Sequence, residues 1–157
     1  MAVTPRIFIS ATSGDLQSHR AIVATALKKL ETYAEVQDDW PPDYRTVAQM
    51  LRRRIKDSDA VIHIVGLRYG AEPSDLPPGV PRRSYTQMEY HIARELKKPV
   101  YLFLLPDTFP YDDSSPPEDD EKRALQQAHR AQVMADSHLH YSPPDAARLN
   151  EIGRAHV

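Results

Sequence analysis

The chain has no cysteine among its 157 residues, so a disulfide framework, a thiolate metal site and a cysteine nucleophile are all excluded. It has no basic excess either: 20 Lys and Arg stand against 22 Asp and Glu, for a formal net charge of −2. Direct nucleic-acid binding normally shows as a basic patch or stripe, so none is expected. No apolar run approaches the roughly 18 residues that span a bilayer. The opening Met1-Ala2-Val3-Thr4-Pro5-Arg6 lacks the basic region and apolar core of a secretory signal. The expectation is a cytoplasmic protein with no membrane partner. Glycine is scarce, at 5 residues, and the seven histidines form no His-Glu-x-x-His pattern, so no metal site or metal cofactor is expected.

Proline, by contrast, occurs 14 times, clustered at 41–42, 73–81, 106–117 and 143–144, and these clusters divide the chain into elements. A hydrophobic fraction of 41 % and a charged fraction of 27 % are ordinary for a globular domain. The length suits one domain with a real core.

Arg6-Ile7-Phe8-Ile9-Ser10 reads as a buried strand, followed by the small, hydroxylic Ala11-Thr12-Ser13-Gly14-Asp15. Apolar residues at helical spacing predict a first helix over about 15–31, and a weak second strand lies around Ala34-Glu35-Val36. Asp38-Asp39-Trp40-Pro41-Pro42 fits no regular element. Val47, Met50, Leu51 and Ile55 line a second helix whose other face carries Arg52, Arg53 and Lys56. Ala60 to Val65 is the clearest strand; a proline-rich loop, Gly66 to Arg83, leads from it to a third helix over about Ser84 to Lys97. Pro99 to Leu105 is another strand, 106–121 an exposed acidic loop, 118–134 a fourth helix, and Leu139-His140-Tyr141 a short strand before a helical tail. Strands that read as apolar runs, separated by helices, are the mark of an α/β domain with a parallel sheet covered on both faces.

Open parallel sheets bind ligands beyond the carboxyl ends of their strands, where the chain switches sides. For a strand order of 2-1-3-4-5 that place lies between the first and third strands. The loops there carry Ser10, Thr12, Arg68, Tyr69, Gly70, Ser84, Tyr85, Thr86 and Glu89. Glu89 shares a helix face with Ile92, Ala93 and Leu96, so its carboxylate opens the buried stripe close to the strand ends. There a helix N-terminus favours negative charge. The plain alternative is a cap: Ser84 to Gln87 and Thr86 to Glu89 both match the capping-box pattern. Local pattern alone favours that reading. The Ser10–Asp15 turn lacks the lysine and glycines of a P-loop and the glycines of a dinucleotide fingerprint, so a strand-to-helix cap is its simplest role. Arg68-Tyr69-Gly70 reads equally as a phosphate contact with a stacking ring or as a turn with an anchored tyrosine. Trp40 is either a hydrophobic plug or a ring over a ligand base. Arg52 to Lys56 is most simply a solvated face.

Taken together, Phe8-Ile9-Ser10-Ala11-Thr12, Asp15-Leu16, Arg20, Ser58-Asp59-Ala60-Val61, Gly66-Leu67-Arg68-Tyr69-Gly70, Ser84-Tyr85-Thr86-Gln87-Met88-Glu89-Tyr90 and Lys98-Pro99-Val100 resemble a TIR-like domain of unknown function. That family stands at the front of proteins carrying NACHT-type NTPase, WD or tetratricopeptide modules, including bacterial signalling and defence proteins. The resemblance covers about 5–105 and implies a flavodoxin-like, three-layer TIR-type fold with a mostly parallel five-stranded sheet in the order 2-1-3-4-5. It also implies NAD as substrate rather than cofactor. In catalytic TIR domains a Glu five residues after a Ser is essential for cleaving the nicotinamide–ribose bond, a spacing that Ser84 and Glu89 share. Related nucleoside deoxyribosyltransferases attack an N-glycosidic bond with a Glu in a comparable place.

On this resemblance Glu89 is the catalytic candidate, with Ser10, Thr12, Trp40, Arg68, Tyr69, Gly70, Ser84 and Tyr85 as substrate contacts. The implied partners are a second copy of the domain and NTPase or repeat modules of the same chain. The sequence departs from the family pattern at Thr86, where many TIR domains have Cys, and at Asp38 to Pro42. The whole chain reads as one domain, with 151–157 as a boundary inside a longer protein. The competing readings are a non-catalytic self-association module and deoxyribosyltransferase-like base exchange.

Overall fold

The structure, a computed structural model, describes residues 5–12, 33–36, 43–109, 117–136 and 140–141. The helix expected over 15–31, the Asp38–Pro42 segment with Trp40, residues 110–116 of the acidic loop, Leu139 and the tail after Tyr141 lie outside the described residues.

The chain forms an α/β domain with a parallel sheet and three described helices. Strands β1 (Arg6–Ser10), β3 (Ala60–Val65) and β4 (Val100–Leu104) make its centre. Short lengths of backbone at β2 (Tyr33–Val36) and β5 (His140–Tyr141) pair outside them, giving the order β2-β1-β3-β4-β5 with every pairing parallel. The helices are α1 (Tyr44–Lys56), α2 (Tyr85–Glu95) and α3 (Asp120–Asp136).

β3 (Ala60-Val61-Ile62-His63-Ile64-Val65), rich in Val and Ile, is buried along its whole length, as befits a central parallel strand. In α1, Val47, Leu51 and Ile55 recur one turn apart and face inward, Asp43 caps the start by accepting from the Thr46 N–H at 2.9 Å, and basic residues fill the last turn. Alternation along the strands sorts the sheet into two faces. Phe8 and Val61 pack with Val47, Leu51, Ile55, Tyr85, Met88 and Ile92, and Val65, Leu102 and Leu104 pack with Tyr90 and Val133. All three described helices therefore lie on one face. Each large apolar side chain fully buried there contributes roughly 1.5–3 kcal/mol of transfer free energy.

The loop from Gly66 to Arg83 is irregular but anchored. The Glu118 carboxylate accepts the backbone N–H of Tyr69 at 2.7 Å and of Gly70 at 3.0 Å. The Tyr69 hydroxyl donates to Glu72 at 2.9 Å, and Arg82 grips Glu72 through two hydrogen bonds and Glu121 through a third. Of the expected loop 106–121, Asp107, Thr108, Pro117 and residues 119–121 are exposed, with Phe109 the buried exception among the described residues. Glu118 holds the loop after β3, and the helix expected over 118–134 runs from Asp120 to Asp136.

Candidate functional site

The register of β1 on β3 builds the site. Ile9 pairs with Ile62 and Ser10 with His63, so the two polar side chains lie side by side on the helix-bearing face, at the carboxyl end of β1. Ser10 Oγ stands 2.9 Å from Nδ1 of His63 and donates to Oε1 of Glu89 at 2.7 Å. It also lies 3.5 Å from the Thr86 carbonyl. His63 Nε2 lies 3.0 Å from Nε2 of His129 on α3. Ser10 and His63 are fully buried, Glu89 is 2 % exposed and His129 5 %.

Glu89 reaches this place because α2 starts where it does. Ser84 is the N-cap: its Oγ accepts from the Gln87 N–H at 3.2 Å, and the Gln87 side chain accepts from the Ser84 N–H at 3.3 Å. Of the two overlapping capping boxes, the first is the one that forms. Glu89 is left as an inward-facing carboxylate on the stripe with Ile92 and Ala93.

The aromatic surroundings hold the imidazoles. His63 stacks on Tyr90 at 5.1 Å between ring centroids with a 21° interplanar angle, and His129 meets both rings edge-on. Burial, then the neighbouring His129 and His91, push the His63 pKa well below the ordinary histidine value. Burial, followed by His91 and Arg83, lowers that of His129 to about 4 against the opposing pull of Asp136. Both rings are neutral near pH 7.

The remaining candidates have other employment. Ser84 is buried and spent on the cap. Tyr85 packs in the α1–α2 core. The Tyr69 ring is fully buried, so it anchors the turn and is no exposed stacking ring, while Arg68 lies 3.9 Å from Glu118. Gly70 has φ +86°, and a Cβ there would come within 2.9 Å of the Thr12 methyl, so the 66–83 loop and the turn after β1 touch at this point. Thr12 is buried at that contact. Trp40 lies outside the described residues. The structure thus brings Ser10 and Glu89 together and keeps Tyr69, Ser84 and Tyr85 in structural roles.

His63, His129 and Glu118 were not anticipated. A histidine within an otherwise apolar strand was the one available signal for His63. His129 gave none, because its partner is 66 residues away. Helix α3 closes this end of the sheet: Gln126 donates to the Gly66 carbonyl at 2.9 Å and accepts from the Gln87 side chain at 3.1 Å, while Arg130 donates to the carbonyls of Val65, Gly66 and Leu105. Among the described residues no group of three or more His, Asp or Glu is placed to hold a metal ion, and no helix is long and apolar enough to cross a membrane.

Fold and site define an α/β domain with a buried carboxylate, bonded to a serine, at the carboxyl end of a parallel sheet. The chain belongs to the family described as Domain of unknown function (DUF4062), whose model matches residues 6–151. No curated protein matches it.

Proposed function

We propose that the chain is a TIR-like effector or signalling domain of flavodoxin-like fold that hydrolyses NAD at the nicotinamide–ribose bond, with Glu89 as the reacting carboxylate. The observation that carries this reading is the 2.7 Å hydrogen bond from Ser10 to Glu89 at the carboxyl end of β1, in a helix whose cap is supplied by other residues. A carboxylate freed from capping and fixed by a hydroxyl donor is suited to face a developing cation. As the glycosidic bond breaks, its electron pair leaves with nicotinamide, which departs neutral, and positive charge builds on the ribose. A preorganised carboxylate stabilises that charge, and water completes the hydrolysis. Thr12 and Arg68, on the two loops beside the site, are the remaining candidates for ribose or phosphate contact.

One observation favours a second reading, a non-catalytic self-association module: Glu89 is only 2 % exposed. Substrate reaches it only if neighbouring groups move, as would follow if assembly with a second copy completes the site. Base exchange of the deoxyribosyltransferase kind has no observation of its own in its favour.

The test is NAD consumption by concentrated or artificially clustered protein. Release of nicotinamide that Glu89→Gln abolishes, with folding intact, supports the hydrolase. Untouched NAD under clustering turns the assignment to the interaction module.

A further inference from the structure

Two histidines that the hydrolase reading leaves unused stand in line behind Glu89. From the carboxylate inward, the chain of contacts runs Glu89 Oε1, Ser10 Oγ, His63 Nδ1, His63 Nε2 and His129 Nε2, at 2.7, 2.9 and 3.0 Å. Placing the hydrogens leaves few choices. Two imidazole nitrogens in contact share one proton, so one ring donates and the other accepts, and Ser10 has a single proton for Glu89, His63 and, at a longer 3.5 Å, the Thr86 carbonyl.

Two arrangements satisfy these three short contacts with both rings neutral. With Glu89 ionised, Ser10 donates to Oε1, His63 Nδ1–H donates to Ser10, and His129 Nε2–H donates to His63. With Glu89 protonated on Oε1, every bond reverses. Glu89 donates to Ser10, Ser10 to His63 Nδ1, and His63 Nε2–H to His129, which then carries its proton on Nδ1. The two arrangements differ by one proton, gained or lost at Nδ1 of His129.

We propose that Ser10, His63 and His129 form a proton relay joining the buried Glu89 to the α3 side of the domain, a role that rests on Glu89 being the reacting carboxylate. Hydrolysis releases one proton: the water oxygen bonds to the ribose carbon, the bond to nicotinamide breaks with its pair, and one water hydrogen passes to Glu89. Reversal of the chain returns Glu89 to the carboxylate and delivers one proton from His129 Nδ1 to solvent water. Ser10, His63 and His129 act through Glu89 and are positioning residues.

The surroundings suit exchange between neutral tautomers. His63 faces Ser10 from β1, Tyr90 and His91 from α2, and His129 from α3. His129 faces His63, Tyr90 and His91, with Arg83 before α2 and Asp136 on its own helix supplying charge. His91, half-buried with its ring centroid 6.1 Å from that of His129, stands at the outer end. Neither ring charges near pH 7, so a passing proton meets no stable imidazolium.

The decisive measurement is nitrogen-15 NMR of the histidine rings of the whole chain across pH, with the Glu89 carboxyl followed by carbon-13. With Glu89 ionised, His63 carries its hydrogen on Nδ1 and His129 on Nε2, and both switch as Glu89 protonates. In Ser10→Ala, His63 no longer follows Glu89. A His63 hydrogen on Nε2 while Glu89 is ionised, or rings that stay fixed as Glu89 protonates, overturns the relay. No NAD is needed, so this result stands apart from the fate of the hydrolase reading. Where NAD is hydrolysed, His129→Phe lowers kcat by roughly 10²-fold, the low end of proton-transfer effects, with KM unchanged and activity restored by added imidazole. An unchanged kcat overturns the relay and leaves Glu89 its catalytic role.

Discussion

Ser84 caps helix α2, and Glu89, five residues further on, does not: the Ser84 hydroxyl receives the Gln87 N–H, while the Glu89 carboxylate receives the hydroxyl of Ser10. Two residues that look like parts of one motif in the sequence therefore serve different ends. Ser84→Ala is expected to cost about 1 kcal/mol and to speed amide exchange in the first turn of α2. Glu89→Gln should leave that exchange unchanged. Fraying of the first turn in the Glu89 variant would return Glu89 to a capping role.

Ser10→Ala takes one partner from a buried carboxylate and one from a buried imidazole. Loss of a buried partner costs about 1–3 kcal/mol, so urea unfolding of this variant should show a midpoint clearly below wild type with an unchanged slope. A variant as stable as wild type would show that the Ser10 contacts are dispensable.

Stability should fall on mild acidification. His63 and His129 are held neutral in the fold, with pKa values below the ordinary 6.5. Between the folded and unfolded values the unfolded chain binds more protons, so unfolding becomes easier as pH drops from about 6.5 towards 4. Each histidine contributes up to about 1.4 kcal/mol per pH unit in that window and nothing above it. Urea melts at stepped pH should reveal the slope, and His129→Gln should remove one proton's share of it.

Gly70→Ala combines two penalties, a left-handed backbone angle and a Cβ pressed 2.9 Å from the Thr12 methyl. A loss of about 1–3 kcal/mol is expected, measurable as a lowered thermal midpoint. Thr12→Ser removes the opposing methyl and should recover part of it in the double variant.

Much of this was legible in the sequence because it depends on local pattern. Ile62 and Ile64 mark a strand by composition, Val47, Leu51 and Ile55 mark a helix by spacing, and the inward stripe of Glu89, Ile92 and Ala93 follows from helical geometry. The approach of Ser10 to Glu89 was legible in outline, since parallel sheets gather strand ends. His63 and His129 were not. Their roles depend on the register that sets Ser10 against His63 and on the docking of α3, neither of which is encoded in the segments themselves. The position of Glu118 was hidden for a similar reason: an acidic residue among prolines reads as solvated until the Tyr69 and Gly70 amides are found in front of it.

Helix α3 buries Gln126, His129 and Val133, only one of them apolar, and holds the sheet largely through Gln126 and Arg130 on the carbonyls beyond β3 and β4. Apolar contact weakens gradually as surfaces separate, whereas a hydrogen bond is lost over a fraction of an ångström. Such a seam yields abruptly once its hydrogen bonds are stretched. Released, it would part His129 from His63 and cut Glu89 off from its outlet without disturbing either strand that carries the inner residues.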